Sequence, residues 1–345
     1  MLDRIRAEVA AAGGWISFAR YMELALHAPG MGYYARGARQ FGAEGDFVTA
    51  PELGALFGRT LARQLQALPG PILELGAGSG ALAEALLQEL DREYWILETS
   101  SPLRERQAQR LGSRVRFLER LPERFRGVIV ANEVVDAMPV HAVAWRANGV
   151  MERGVTRDLK WEERPATGTV LNEAKAIDVP APYESELGLA ARGWMRTLGA
   201  QLEQGVILII DYGFPRHEYY HPQRSMGTLM CHTRHRAHGD PFLHPGQQDI
   251  TAHVDFSALA GAAREAGLDV IGYATQAQFL VNCGITEVLA QANLDNALHY
   301  APIAAEAQQL LSPAEMGELF KVLAVGRGVN TPLLGFSRGD RSHTL

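Results

Sequence analysis

The stretch PILELGAGSGALAEALL, residues 71–87, sets an apolar run ending at Glu74 against three glycines at alternate positions, Gly76, Gly78 and Gly80, and then an alanine- and leucine-rich segment of helical pattern. This is a strand, a tight turn and a helix N-terminus, the place where an α/β protein receives a nucleotide-like ligand.

Outward from this turn, short apolar runs recur with helical patterns between them. Strands are expected near 71–75, 94–98, 114–118, 127–131, 205–211, 268–273 and 320–326, and helices over 80–90, 101–111, 187–203 and 254–266. Such alternation predicts a mostly parallel, doubly wound sheet of seven strands. Residues 1–66 read as an N-terminal helical segment around a Gly/Tyr-rich loop at 28–52, and residues 67–345 as the core, with insertions at about 140–200 and 213–255. The first insertion has the pattern of a β-hairpin, with ANG as the turn between HAVAWR and VMERGV. No internal repeat or low-complexity tract is present.

The 345 residues are 47% hydrophobic and 21% charged, so the chain carries enough apolar surface for a large packed core. A net charge of −6 argues against a nucleic-acid partner, whose binding face would be basic. The longest strong apolar run, VILII at 206–210, is far below the ~20 residues that span a bilayer, so no membrane insertion is expected. The opening MLDRIRAEVAAAGG is amphipathic, too polar for a signal peptide, and acidic where a transit peptide is not. Two isolated cysteines, Cys231 and Cys283, fit a reducing compartment, and a cytoplasmic location is expected.

Three ligands could use the glycines. A phosphate loop needs Gly-Lys-Ser/Thr, and no lysine follows Gly80. The dinucleotide pattern is met loosely by Gly76, Gly78 and Ala81. Glu74 decides more: a carboxylate there repels a pyrophosphate but suits S-adenosylmethionine, which brings an ammonium and a sulfonium. The glycines then allow close backbone approach. Glu98 ends the second strand 22 residues after Gly76, the spacing at which an acid accepts ribose hydroxyls in either kind of ligand. After the fourth strand, VIVANEVVDAMPV (128–140) supplies Asn132, Glu133 and Asp136. Helix capping accounts for Asn132 and Asp136 but not for Glu133. Several acids aimed at one cleft are costly unless a cation occupies it. With Ala77 and Thr99 beside them, Glu74, Gly76, Gly78, Glu98 and Asn132 form the expected cofactor-binding set.

MGYYARGARQFGAEGDFVTAPELGALFG (31–58), LELGAGSGAL (73–82), NEVVDAMPV (132–140), IIDYGF (209–214) and DPFLHPGQQDITAHVDF (240–256) together resemble the MidA-type methyltransferases, from about residue 17 to about residue 330. That family includes the mitochondrial complex I assembly methyltransferase. The resemblance implies a class I S-adenosylmethionine-dependent fold with an atypical N-terminal segment. It also implies ω-N methylation of an arginine on a partner protein, a core subunit of respiratory complex I or its bacterial equivalent. It places the GDFVTAPE loop over the cofactor, making Asp46, Thr49 and Glu52 candidates, with a structural Ω-loop as the alternative. The family usually carries two aromatic residues where this chain has Val134 and Val135, so the acceptor pocket is where this chain departs from the pattern.

Arginine chemistry gives the acids a purpose. A guanidinium arrives protonated and delocalised, and a carboxylate pair that grips two of its nitrogens leaves the third electron-rich. Glu133 and Asp136 are the candidate catalytic clamp. Tyr33, Tyr34, Asp211 and His253 are candidates for substrate contact, although Asp211 also reads as a strand cap, and His253 with Asp255 as a turn and N-cap. Cys231, His232, His235 and His238 lack converging spacing, so no metal is expected. A small-molecule methyltransferase and a cofactor-binding assembly chaperone remain open beside the arginine reading, with a nicotinamide oxidoreductase further off. The sequence leaves room for a homodimer.

Overall fold

The structure, a computed structural model, describes residues 1–36, 49–233, 236–291 and 297–345. Seven strands of the central sheet follow the sequence expectation: β1 (Ile72–Leu75), β2 (Tyr94–Leu97), β3 (Arg116–Leu118), β4 (Phe125–Asn132), β5 (Leu202–Phe214), β6 (Asp269–Thr275) and β7 (Phe320–Arg327). Their order is β3-β2-β1-β4-β5-β7-β6, with β7 antiparallel to both neighbours and the other pairings parallel. An eighth short strand, Val254–Asp255, pairs with the end of β5. The order reverses between β1 and β4, so the crevice opens at their carboxyl ends.

The strands are apolar on both faces because helices cover both. Ile72, Val128, Val130, Val206 and Leu208 point to one core, shared with Leu61 and Leu65 of helix Leu56–Gln66 and with Leu82 and Leu86 of helix Ala81–Glu89. Leu73, Ile129, Ile207 and Ile209 point to the other, shared with Met195 and Leu198 of helix Leu189–Gln201 and with Leu259 and Ala263 of helix Phe256–Glu265. Successive residues alternate faces, so a strand buried on both sides reads as a continuous apolar run.

The expected hairpin is present: His141–Arg146 and Gly149–Thr156 pair antiparallel, with Arg146 opposite Gly149. It belongs to a larger unit. Tyr183–Leu187, Trp161–Pro165 and, from the N-terminus, Trp15–Ser17 complete a five-stranded sheet. The segment read as helical therefore contributes a strand, too short at three residues to show a period. Its helix Phe18–His27 packs Phe18, Tyr21, Met22 and Leu26 against Ala137, Val140, Ala142 and Ile250. That contact brings His27 to the crevice.

β4 and β5 come together at Gly127 and Gly205, which are partners in the register. Gly205 has φ +133°, and a Cβ there would lie 1.9 Å from the Gly127 carbonyl oxygen. Gly149 has a similar φ of +126° but open space around it. Gly149→Ala is expected to cost the backbone strain alone, roughly 1–3 kcal/mol, whereas Gly205→Ala must also push the central strands β4 and β5 apart. Chemical denaturation of both variants checks this: equal losses would show that the strand contact contributes nothing.

Candidate active site

Gly76, Gly78 and Gly80 have φ of +65°, +56° and +83°. A side chain at Gly76 would be strained and would meet Val134 at 3.0 Å, so the turn can pass under a ligand only as glycine. The crevice above the turn has two ends. Thr49, Glu52, Glu74, Ala77, Ser79 and Asn132 line one. His27, Tyr34, Glu98, Thr99, Val134 and Asp136 line the other. Gly76, Gly78 and Glu133 belong to both.

The acids differ in how they are held. Glu74 is buried, and Tyr94 donates its hydroxyl to Oε2 at 2.8 Å. Loss of hydration raises Glu74 to about 7; the tyrosine bond opposes this and the charge of Glu98 adds to it. Glu98 accepts the Ser100 N–H at 2.8 Å on one oxygen and the Gln107 amide at 3.1 Å on the other, and burial raises its pKa. Glu133 has φ +53° and donates its N–H to Ile210 at 2.9 Å. Its Oε1 accepts from Ala50 N and from the Asn132 amide, and desolvation followed by the Asp136 charge raises it to about 8. Asp136 takes the Tyr212 hydroxyl on Oδ2, while its buried Oδ1 has no hydrogen-bond partner among the described residues.

The structure thus brings Tyr34, Thr49, Glu52, Glu74, Gly76, Ala77, Gly78, Glu98, Thr99, Asn132, Glu133 and Asp136 around one space. Three substrate candidates stand outside its lining. Asp211 is fully buried: Oδ2 accepts the N–H groups of Val135 and Asp136 at 2.9 and 3.2 Å, and Oδ1 accepts that of Tyr212. It shapes the 133–138 turn from below, and burial beside Asp136 and Glu133 raises its pKa. His253 lies behind that turn, with its ring against Tyr212 and Phe214. Tyr33 is buried with its ring edge-on to Tyr34. Asp46 and His235 lie outside the described residues. His27 and Ser79 line the crevice without having been singled out: Ser79 sits inside the glycine turn, and His27 lies just upstream of the stretches that carry the resemblance. Cys231 and Cys283 are free and buried, and among the described residues no group of three or more His, Cys, Asp or Glu is placed to hold a metal. No helix among them is long and apolar enough to cross a membrane.

A family profile for S-adenosyl-L-methionine-dependent methyltransferases, Methyltransf_28, matches residues 56–274. The chain belongs to this family. Among solved structures, the methyltransferase is 51% identical to a COG1565 superfamily member from Burkholderia thailandensis bound to S-adenosyl-homocysteine, with TM-score 0.96 over 100% of this chain and 96% of that one. Among curated proteins, it is 28% identical to the mitochondrial protein arginine methyltransferase NDUFAF7 homolog of Drosophila melanogaster, over 98% of this chain and 88% of that protein. It is also 28% identical to mitochondrial NDUFAF7 of Danio rerio, over 94% and 86%.

The donor set suits the family's cofactor. Carboxyls raised by desolvation regain their charge when a sulfonium or ammonium arrives, and the buried Asn132 Oδ1 has no partner among the described residues. The same shifts set a pH dependence. A carboxyl raised in the fold keeps its proton above its ordinary value near 4.5, where the unfolded chain has lost it. The folded state then binds more protons, so ligand-free stability falls as pH rises from about 4.5 to about 8. Melting temperatures are expected to drop across this window and to drop less with saturating S-adenosyl-homocysteine or in Glu133→Gln. Stability rising over the same interval would contradict the assigned shifts.

Proposed function

We propose that this methyltransferase acts on an arginine side chain of a partner protein. One observation carries the reading: Glu133 and Asp136, three residues apart on one turn, both line the crevice, and each keeps one carboxylate oxygen without a hydrogen bond to a described residue. The side-chain bonds to Glu133 fall on Oε1, and the buried Oδ1 of Asp136 has no partner among the described residues. A planar guanidinium offers paired N–H donors to such a pair, which a neutral acceptor does not. The curated relatives named as protein arginine methyltransferases support the same reading. A respiratory complex I subunit, or its bacterial equivalent, is the proposed target type, and the cytoplasm the proposed place of action.

On this proposal Glu74, Asn132 and the glycine turn hold the methionine end of the cofactor, Glu98 holds the ribose hydroxyls, and Thr49 and Glu52 close over them. Bound there, S-adenosylmethionine supplies a methyl group on a positively charged sulfur. The chain's own residues position and polarise the acceptor. Glu133 and Asp136 pull the guanidinium charge onto two nitrogens and leave the third with lone-pair character. Positive φ at Glu133 is a strained choice for a residue with a side chain, of order 1–3 kcal/mol. The Asp211 bonds to the turn and the bond from Glu133 N–H to Ile210 hold it in place. Desolvation keeps the clamp short of full charge until a cation enters, so ionisation of Glu133 accompanies binding of a guanidinium.

Two outcomes follow. Glu98→Ala removes a carboxylate from the proposed ribose contact, and at ~1.5–3 kcal/mol for a hydrogen bond to a charged group the affinity for S-adenosyl-homocysteine should weaken at least about tenfold. Calorimetry on variant protein that still melts cooperatively reads this. Glu133→Gln should bind S-adenosyl-homocysteine nearly as the parent does, yet transfer methyl groups to a partner protein about a hundredfold or more slowly, about 2.7 kcal/mol on the barrier. Mass-spectrometric mapping of methylarginine in a deletion strain complemented with each form is the measurement. Undiminished methylarginine with Glu133→Gln and Asp136→Asn combined would overturn the arginine reading.

A further inference from the structure

His27 ends helix Phe18–His27, and its ring stands where two spaces meet. It lines the crevice with Glu98, Glu133 and Asp136, and it also lines an open groove with Arg20, Glu23 and His141. Nε2 lies 3.2 Å from the carbonyl oxygen of Ala137. A carbonyl accepts and does not donate, so Nε2 carries the hydrogen and, in the neutral ring, Nδ1 holds the lone pair. Nδ1 is bonded to no described residue. The Tyr34 ring stacks on the imidazole with centroids 5.7 Å apart and planes 12° from parallel, which fixes the ring plane at the mouth of the crevice.

We infer that His27 is a catalytic residue, the base that takes through Nδ1 the proton lost by the methylated nitrogen and hands it to water in the groove. The inference rests on the arginine reading above. In the transfer, the lone pair of one guanidinium nitrogen forms the bond to the methyl carbon while the carbon–sulfur bond breaks and leaves its electron pair on sulfur. The nitrogen then carries one proton more than a methylated guanidinium keeps. That proton moves to Nδ1, the ring becomes imidazolium, and water in the groove removes it.

The carboxylates of the clamp are poorly suited to this task. Glu133 and Asp136 hold the substrate by their charge, and a carboxylate that accepts the proton releases its grip. Loss of hydration holds the His27 pKa below its usual value, so the ring is neutral and ready near pH 7. Once protonated, it faces Glu98, Glu133 and Asp136 across the crevice and Glu23 on its own helix. Arg20 is tied to Glu8 and Glu23, His141 is paired with Glu152, and Tyr34 is neutral, so the groove adds little opposing charge. The last turn of a helix also favours a cation.

The test uses the full chain with an arginine-bearing protein acceptor. His27→Gln should bind S-adenosyl-homocysteine within about twofold of the parent and lose roughly a hundredfold or more in kcat. In kcat, the bound guanidinium holds the clamp ionised and the bound cofactor does the same for Glu74 and Glu98, so an acid limb below about pH 6.5 belongs to His27 and should vanish in the variant. Imidazole added to His27→Ala should restore some of the rate. Independently of any variant, nitrogen-15 NMR of the parent should show hydrogen on Nε2 and none on Nδ1. An unchanged kcat and pH profile in folded His27→Gln, or the opposite tautomer in the parent, would overturn the proposal. Failure of the arginine reading is distinguishable, because it appears as normal methylarginine in the Glu133 and Asp136 amide variants whatever His27 does.

Discussion

The carboxylate of Asp211 holds the site together from beneath. It sits at zero exposure near the end of β5, and its two oxygens take the N–H groups of Val135, Asp136 and Tyr212. The Val135 and Asp136 donors would otherwise be orphaned where β4 stops and the chain turns back over the sheet. Satisfying them from the neighbouring strand lets the turn remain irregular, lets Glu133 keep a positive φ, and aims Glu133 and Asp136 at the crevice. An isosteric amide there would offer one oxygen in place of two, so the constraint is chemical as well as steric.

Above that turn, the electrostatics run against the usual preference of a folded protein. Glu74, Glu98, Glu133 and Asp136 are gathered where water is scarce, and each is pushed toward its protonated form. The glycine turn brings backbone to the same place without side chains to fill it. A space with acids, uncrowded backbone and an Asn132 oxygen that no described residue satisfies is a poor arrangement for the empty protein and a good one for a cationic, nucleoside-bearing ligand. Stability is given up locally so that binding restores it.

The remaining wall comes from outside the central sheet. Helix Phe18–His27 is anchored through Phe18, Tyr21 and Met22 to the five-stranded sheet and to the strand Asp249–Thr251. Tyr34 then bonds Asp249 through its hydroxyl and receives the Ser100 hydroxyl on its carbonyl, which ties the N-terminal segment to the start of the helix after β2. The insertion thus supports the N-terminal wall of the site as well as decorating the fold.

Local order was legible in the chain because its signals are local. An apolar run, alternate glycines and a helical pattern need no partner to be recognised, and the strands β1 to β7 of the main sheet lie where those patterns put them. Glu74, Glu98 and Glu133 could be assigned to one crevice because a parallel sheet brings the carboxyl ends of its strands together. What the sequence could not carry was any property created by contact between distant segments. Trp15–Ser17 is a strand because Gly149–Thr156 lies beside it. Asp211 looked like a substrate contact, yet its oxygens are taken up by backbone from residues 76 and 75 positions earlier. His27 joined the site through a carbonyl 110 residues away. The sequence by itself determined the sheet, the glycine turn and the acids at the strand ends, because periodicity and spacing encode them. Only the tertiary structure decided which acid lines the crevice and which holds the turn, because burial and hydrogen-bond partners arise when distant segments meet.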